Sequence, residues 1–224
     1  MISSSYFIPI TAVVSLLIGP ASVWVWNRTP VRWLCEYGAQ YIPGGHRVIP
    51  KPLGAATSLS VLFFVSVLFS FRMAGPSLHA VWRIAFFAFP LVQLSLSDVC
   101  YKILPDQWIL ATAAAGLLLR IPLRERAVGL FVPILLYVVL ALAAAGLGRE
   151  PGIGAGDAKL ASAIGFALGL HAMALIFCFA FLAAGCFALI LLLTKKAAGT
   201  DRIAFGPFAA FFCFGYLLLS TFSM

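Results

Sequence analysis

Pro151-Gly-Ile-Gly-Ala-Gly-Asp157-Ala-Lys-Leu160 sets a carboxylate at the join between a glycine-rich turn and the apolar run that follows it. An Asp at the centre of a membrane helix costs roughly 2.5–3.5 kcal/mol on insertion scales, so such residues face protein or water and mark working sites. In a chain with 19 Gly and four Asp, a Gly-x-Gly-Asp tetrad is expected about 0.03 times by chance.

The rest of the chain makes the membrane reading firm. It is 63% hydrophobic and only 10% charged, with a mean hydropathy of +1.07. A soluble globular domain carries about 25% charged residues. Met1–Asn27, Pro52–Phe71, Ala127–Gly148, His171–Thr194 and Ile203–Met224 carry no Asp, Glu, Lys or Arg. Each reaches the length that crosses a hydrocarbon core of about 30 Å. The first lacks the basic start of a cleavable signal peptide and is long enough to span, so it reads as a membrane helix.

Eight hydrophobic segments follow from the pattern: 6–26, 54–71, 78–97, 107–120, 127–147, 158–169, 171–193 and 206–223. In lipid the backbone must satisfy its own hydrogen bonds, so all eight are expected to be helical. The fold class is therefore all-α, a polytopic helical membrane protein. Segments 107–120 and 158–169 are too short for an ordinary span and are expected to be tilted or interfacial. The chain divides into N-terminal membrane helices over 1–97, with a basic loop at 27–53, and a membrane core over 98–224.

The net charge of +8 comes from basic residues scattered singly through short loops, which points to topology rather than nucleic acid. Arg28, Arg32, Arg47, Lys51, Lys102, Arg149, Lys159, Lys195, Lys196 and Arg202 fall on one side. Arg72, Arg83, Arg120, Arg124 and Arg126 fall on the other. The first side is expected to be cytoplasmic, although Arg120, Arg124 and Arg126 oppose the rule locally. In the 27–53 loop His46 adds to the basic residues and Glu36 is the lone acid; such a loop is an ordinary topology determinant or anionic-lipid contact. Cys35, Cys100, Cys178, Cys186 and Cys213 form no Cys-x-x-Cys pair, so neither a zinc knuckle nor a disulfide framework is indicated. His46, His79 and His171 are isolated in sequence.

Three short stretches carry chemistry. In Asp98-Val-Cys-Tyr-Lys-Ile-Leu104-Pro105-Asp106, Pro105 ends one helix, and Asp106 stands where the next needs an N-cap. Asp98 lies at the C-terminal end of an apolar helix, where the dipole disfavours a negative charge. Gly152, Gly154 and Gly156 permit backbone conformations that other residues resist and allow close approach of another chain, and Asp157 opens the following helix at its favourable end. Gly165-Phe-Ala-Leu-Gly169 is a small-xxx-small face suited to close packing. Finally, Phe205-Gly206-Pro207-Phe208 starts the last helix with a first-turn proline.

Together these stretches resemble the type IV prepilin peptidases, membrane aspartic peptidases that process pilin-like precursors. Asp98 with Leu104-Pro105-Asp106 is similar to that family's first motif. Gly154-Ala-Gly156-Asp157-Ala-Lys159 matches its Gly-x-Gly-Asp-x-Lys signature, and Phe205-Gly206-Pro207-Phe208 matches the opening of its final helix. The order holds over about 95–224. Presenilin-like proteases share Gly-x-Gly-Asp but carry a late Pro-Ala-Leu motif, which this sequence lacks.

The resemblance implies a catalytic pair, Asp98 and Asp157, supported by Gly154, Gly156, Lys159, Pro105, Asp106, Gly206 and Pro207, with no metal and no cofactor. It implies prepilin or pseudopilin precursors and membrane lipid as partners, and no nucleic acid. It places the protein in the bacterial inner membrane with the site facing the cytoplasm. Bifunctional relatives carry two Cys-x-x-Cys pairs in their first loop and N-methylate the product; this loop has Cys35 only, which puts methylation in doubt. Helix position favours an anionic Asp157 and a neutral Asp98. Lys159, two residues on, is expected to anchor the motif rather than take part in chemistry. Two other classes fit the same acids: an ion-coupled transporter, and a catalytically silent membrane assembly factor.

Overall fold

The computed structural model describes residues 4–35, 48–49, 52–74, 78–149, 152–195 and 203–220. Glu36, His46, Arg47, Lys51, Pro151, Lys196, Asp201 and Arg202 lie outside them, as does the side chain of His79. The described residues form eight α-helices and no strand: α1 (Ser4–Arg28), α2 (Pro52–Ala74), α3 (Leu78–Tyr101), α4 (Asp106–Ala115), α5 (Leu123–Gly146), α6 (Ala155–Leu168), α7 (Leu170–Leu193) and α8 (Gly206–Ser220). Four of them, α1, α3, α5 and α7, are long and apolar enough to cross a membrane by length and composition, and α8 is a shorter apolar helix. The protein is an all-α, multi-pass membrane protein.

Two compact units emerge, one of residues 1–93 with 214–224 and one of residues 94–213, so that α3 and α8 contribute to both. In the first, α1 packs on α2. Gly19 makes the approach close, because a Cβ there would run into the Ala56 carbonyl and Ser60 Oγ. The core of this unit is Phe63, Val67, Val81, Ile84 and Ala85, with Val14, Ile18, Phe214 and Leu218 against it. Gln93 is fully buried and donates from Nε2 to the Ser22 carbonyl at 2.9 Å, which ties α3 to α1.

The second unit is built around α6. At 14 residues this helix is about 21 Å long, too short to span. Nine of its residues are buried, and α4, α5 and α7 all pack on it. A helix apolar all round belongs in a core, and here it sits inside protein rather than across lipid. Its partner α5 carries Pro133, whose missing N–H leaves the Gly129 carbonyl without its helical donor. That carbonyl lies against Gly165 of α6, and the Gly165 carbonyl lies against Gly129. Only two facing glycines permit such backbone contact, and Cα–H groups supply weak donors across it. Gly165 therefore plays the close-packing part its spacing suggests. Gly169 does something else: with φ +87° and ψ 162° it is the single residue between α6 and α7, a conformation essentially reserved for glycine.

Arg126, in the first turn of α5, is buried at 6% exposure. Its guanidinium donates to the carbonyls of Gly116 (2.9 Å), Leu119 (2.6 Å), Ile121 (3.2 Å) and Phe166 (3.3 Å) and lies over the Phe166 ring. These carbonyls come from the 3-10 turn Gly116–Leu118 that follows α4, from the loop after it, and from the last turn of α6. A cation is well placed at helix C-termini, where carbonyls lack helical donors. Arg126 thus joins three elements from within.

Candidate active site

Asp98 lies in the last turn of α3, only 6% exposed, and its own carbonyl accepts the Lys102 N–H at 2.9 Å. Lys102 takes φ +58°, the left-handed turn that ends the helix. The C-terminal end of α3 is a poor place for a carboxylate, and the structure supplies the compensation from another helix. The Gly206 N–H, at the start of α8, donates to Asp98 Oδ2 at 2.6 Å, and the Phe205 main chain also reaches the carboxylate. Helix N-termini present free amides and the positive end of the dipole to anions. Gly206 is glycine for a steric reason, since a Cβ there would stand 3.0 Å from Asp98 Oδ2 and 3.2 Å from Leu104 Cδ2. Pro207 follows with no N–H of its own and fixes the first turn. The role of the Gly206 amide was not deduced from the sequence; a Gly-Pro helix start downstream of an orphan acid is the available signal.

Asp157 is the third residue of α6, and its N–H closes the first turn on the Gly154 carbonyl at 3.1 Å. Gly154 is the N-cap, with φ −68° and ψ 142°, a conformation open to any residue. Neither Gly152, Gly154 nor Gly156 has a positive φ, so the expected backbone freedom is not what these positions use. Proximity matters at Gly154, where a Cβ would lie 3.3 Å from Asp157 Oδ2; at Gly156 it would meet Leu104 at an ordinary 3.5 Å. Gly152 faces open space.

Both carboxylates line one cleft of about 530 Å³, together with Lys102, Leu104, Tyr137, the 152–156 turn, Ile203 and Phe205. No hydrogen bond joins Asp98 to Asp157 among the described residues. Burial, and after it the charge of Asp98, pushes the Asp157 carboxyl up to about 6. The Gly206 amide holds the Asp98 carboxylate, and among the described residues no hydrogen-bond donor meets Asp157. Desolvation and the neighbouring acid act on Asp157 in the opposite direction to the helix dipole, whose contribution is about 0.3–1 kcal/mol.

Asp106 also departs from expectation. The N-cap of α4 is Pro105, with φ −63° and ψ 129°, and Asp106 is the first helical residue. Its carboxylate makes no cap and instead accepts from Lys159 Nζ at 2.8 and 3.0 Å. Lys159 therefore turns away from Asp157, as its spacing requires, and ties the start of α6 to the start of α4. Both side chains are about half exposed, 51% and 52%, so the pair contributes at most about 1 kcal/mol. Among the described residues, no three His, Cys, Asp or Glu side chains converge as metal donors. Two acids about a cleft of this volume, with room for water and a length of peptide, have the groups that general acid–base hydrolysis needs.

No curated protein and no solved structure matches the chain. The family model described as Type IV leader peptidase family matches residues 84–189, a stretch that holds Asp98, Pro105, Asp106, Gly154, Gly156, Asp157 and Lys159. That match agrees with the resemblance carried by the motifs around Asp98 and Asp157.

Proposed function

We propose that this membrane peptidase is an aspartic endopeptidase that removes the leader from type IV prepilin-like precursors, with Asp98 and Asp157 as its catalytic pair. The observation that carries the reading is the shared cleft, in which one acid is held by a helix N-terminus and the other is desolvated beside it. Asp98, as carboxylate, takes a proton from water as the water oxygen attacks the scissile carbonyl. Asp157, protonated, donates to the carbonyl oxygen as the tetrahedral intermediate forms. Collapse of that intermediate breaks the C–N bond: the proton held on Asp98 passes to the leaving amine, and Asp157 takes back the proton from the carbonyl oxygen.

The apolar part of the precursor lies among the membrane helices and its basic leader at the cytoplasmic face. The structure supports this orientation through Arg126. Its charge is committed to carbonyls inside the protein, so it drops out of the loop charges that oppose the positive-inside rule. The product leaves unmethylated, since the first loop lacks the paired cysteines.

Co-expression with prepilin-like precursors found beside its gene tests the reading, with leader removal followed by gel shift and mass. Cleavage is expected for the parent protein and lost in Asp98→Asn and Asp157→Asn. Cleavage that survives either change in a folded protein refutes the aspartic pair, and a product 14 Da heavier refutes the absence of methylation.

A further inference from the structure

We propose that Tyr137 is a substrate-binding residue, whose phenol hydroxyl donates a hydrogen bond to the backbone of the peptide held in the cleft. The inference rests on the peptidase reading above. Between Arg126 and Arg149, Tyr137 is the only residue with a polar side-chain atom. Its neighbours Ile134, Leu135, Leu136, Val138, Val139 and Leu140 are 40–64% exposed, as lipid-facing residues are, while Tyr137 alone in that run is half-buried and turned to the cleft.

Helix register explains the position. The α5–α6 contact at Gly129 and Gly165, with Arg126 bonded to Phe166, fixes two antiparallel helices. Eight residues along α5 from Gly129 is Tyr137, and eight back along α6 from Gly165 is Asp157. Each step is about 12 Å, so the two side chains reach the same level of the cleft. Nine residues separate Tyr137 from the end of α5, about 13 Å of helix. That depth is inside a hydrocarbon core of about 30 Å, away from the headgroup belt where tyrosines usually anchor.

The hydroxyl has no protein partner among the described residues. A peptide opened for hydrolysis carries backbone N–H and C=O groups that have lost their helical partners, and at this depth each needs one. The two acids engage the reacting groups; Tyr137, on the α5 wall, is placed to hold a neighbouring carbonyl. Such a bond is made in the ground state and kept in the transition state, so it acts on KM rather than kcat.

Cleavage kinetics of a precursor that the parent protein processes, with Tyr137→Phe, give the test. KM is expected to rise about tenfold, the effect of one lost hydrogen bond, with kcat within about twofold. Binding of the uncleaved precursor to Asp98→Asn should weaken by a similar factor when Tyr137→Phe is added. Tyr137→His, which keeps a donor, should recover part of the affinity, and the lipid-facing Leu136→Ala should change neither constant. An unchanged KM in Tyr137→Phe beside an active parent overturns the role of Tyr137 and leaves the peptidase standing. A folded parent that cleaves no precursor overturns both.

Discussion

Replacing Asp157 by Asn should stabilise the protein while abolishing cleavage, by an amount that depends on pH. The carboxyl titrates near 6 in the fold against an ordinary 3.8, so the folded state holds its proton the more tightly. Between those values the folded protein binds more protons than the unfolded one, and stability falls as pH rises through the window. Above pH 7 both states are ionised and the full penalty is present, about 3 kcal/mol at 1.36 kcal/mol per tenfold. At pH 5 the same linkage leaves roughly half of that, and below pH 4 little of it. Asn has nearly the shape of the protonated acid and cannot ionise. It also removes the repulsion between two charges about the cleft.

Unfolding by SDS titration from mixed micelles, for the parent and Asp157→Asn at pH 5 and pH 8, measures the effect. The variant should be the more stable at both, with a gap roughly twice as large at pH 8. These values are upper limits, because a detergent-unfolded chain still shields Asp157 in part. A variant no more stable than the parent at pH 8, or a gap that does not shrink on acidification, would refute the desolvation account. Asp157 would then be a solvated helix-start acid, and the case for it as the proton-bearing member would go too.

The same protonation sets a pH profile: kcat/KM should fall toward tenfold per pH unit above about 6, as Asp157 loses its proton, and a flat profile from pH 6 to 8 speaks against the assignment. Gly206→Ala should cost at least a hundredfold in activity, because its methyl displaces the Asp98 carboxylate, whereas Gly156→Ala, in ordinary contact with Leu104, should keep most of it; equal effects would contradict the geometry. Lys159→Gln and Asp106→Asn should each cost less than about 1 kcal/mol, and less in high salt, with the charge-reversed pair recovering the loss; complete inactivation of a folded Lys159→Gln would instead argue for direct catalysis. Arg126→Met should destabilise by about 3 kcal/mol or more in the SDS titration, since four carbonyls lose their donor, and a loss below about 1 kcal/mol would mean that water reaches them.

The helices were legible because their signal is local. Long apolar runs, Pro105 and the glycine stops gave all eight segments to within a few residues, including the two that fail to span, α4 and α6. What escaped depends on partners distant in sequence. Gly206 lies 108 residues after Asp98, and nothing near either position says that an amide from one meets the carboxylate of the other. Arg126 read as a loop charge because its partners are main-chain carbonyls, which leave no mark in a sequence. Asp106 stands beside a proline in the usual place for an N-cap. Its carboxylate is drawn off by Lys159, 53 residues away, an attraction that local spacing cannot reveal.

The glycines separate two reasons for one residue type. A motif reading treats Gly154 and Gly156 as conformational hinges, yet neither uses a conformation closed to alanine. Gly154 borders the Asp157 carboxylate and Gly206 borders the Asp98 carboxylate, so at each acid a missing side chain opens space beside the oxygens. A hinge would be recognised by its φ, and among the described glycines Gly148 and Gly169, both outside the motif, are the ones that have it. In the Gly-x-Gly-Asp stretch, glycine at 154 serves access to the acid rather than bending of the chain. Gly154→Ala is therefore expected to lower activity with little change in unfolding free energy. Gly169→Ala is expected to destabilise by more than about 1 kcal/mol, because its φ of +87° is strained for any L side chain. The opposite ranking in an unfolding titration would restore the hinge.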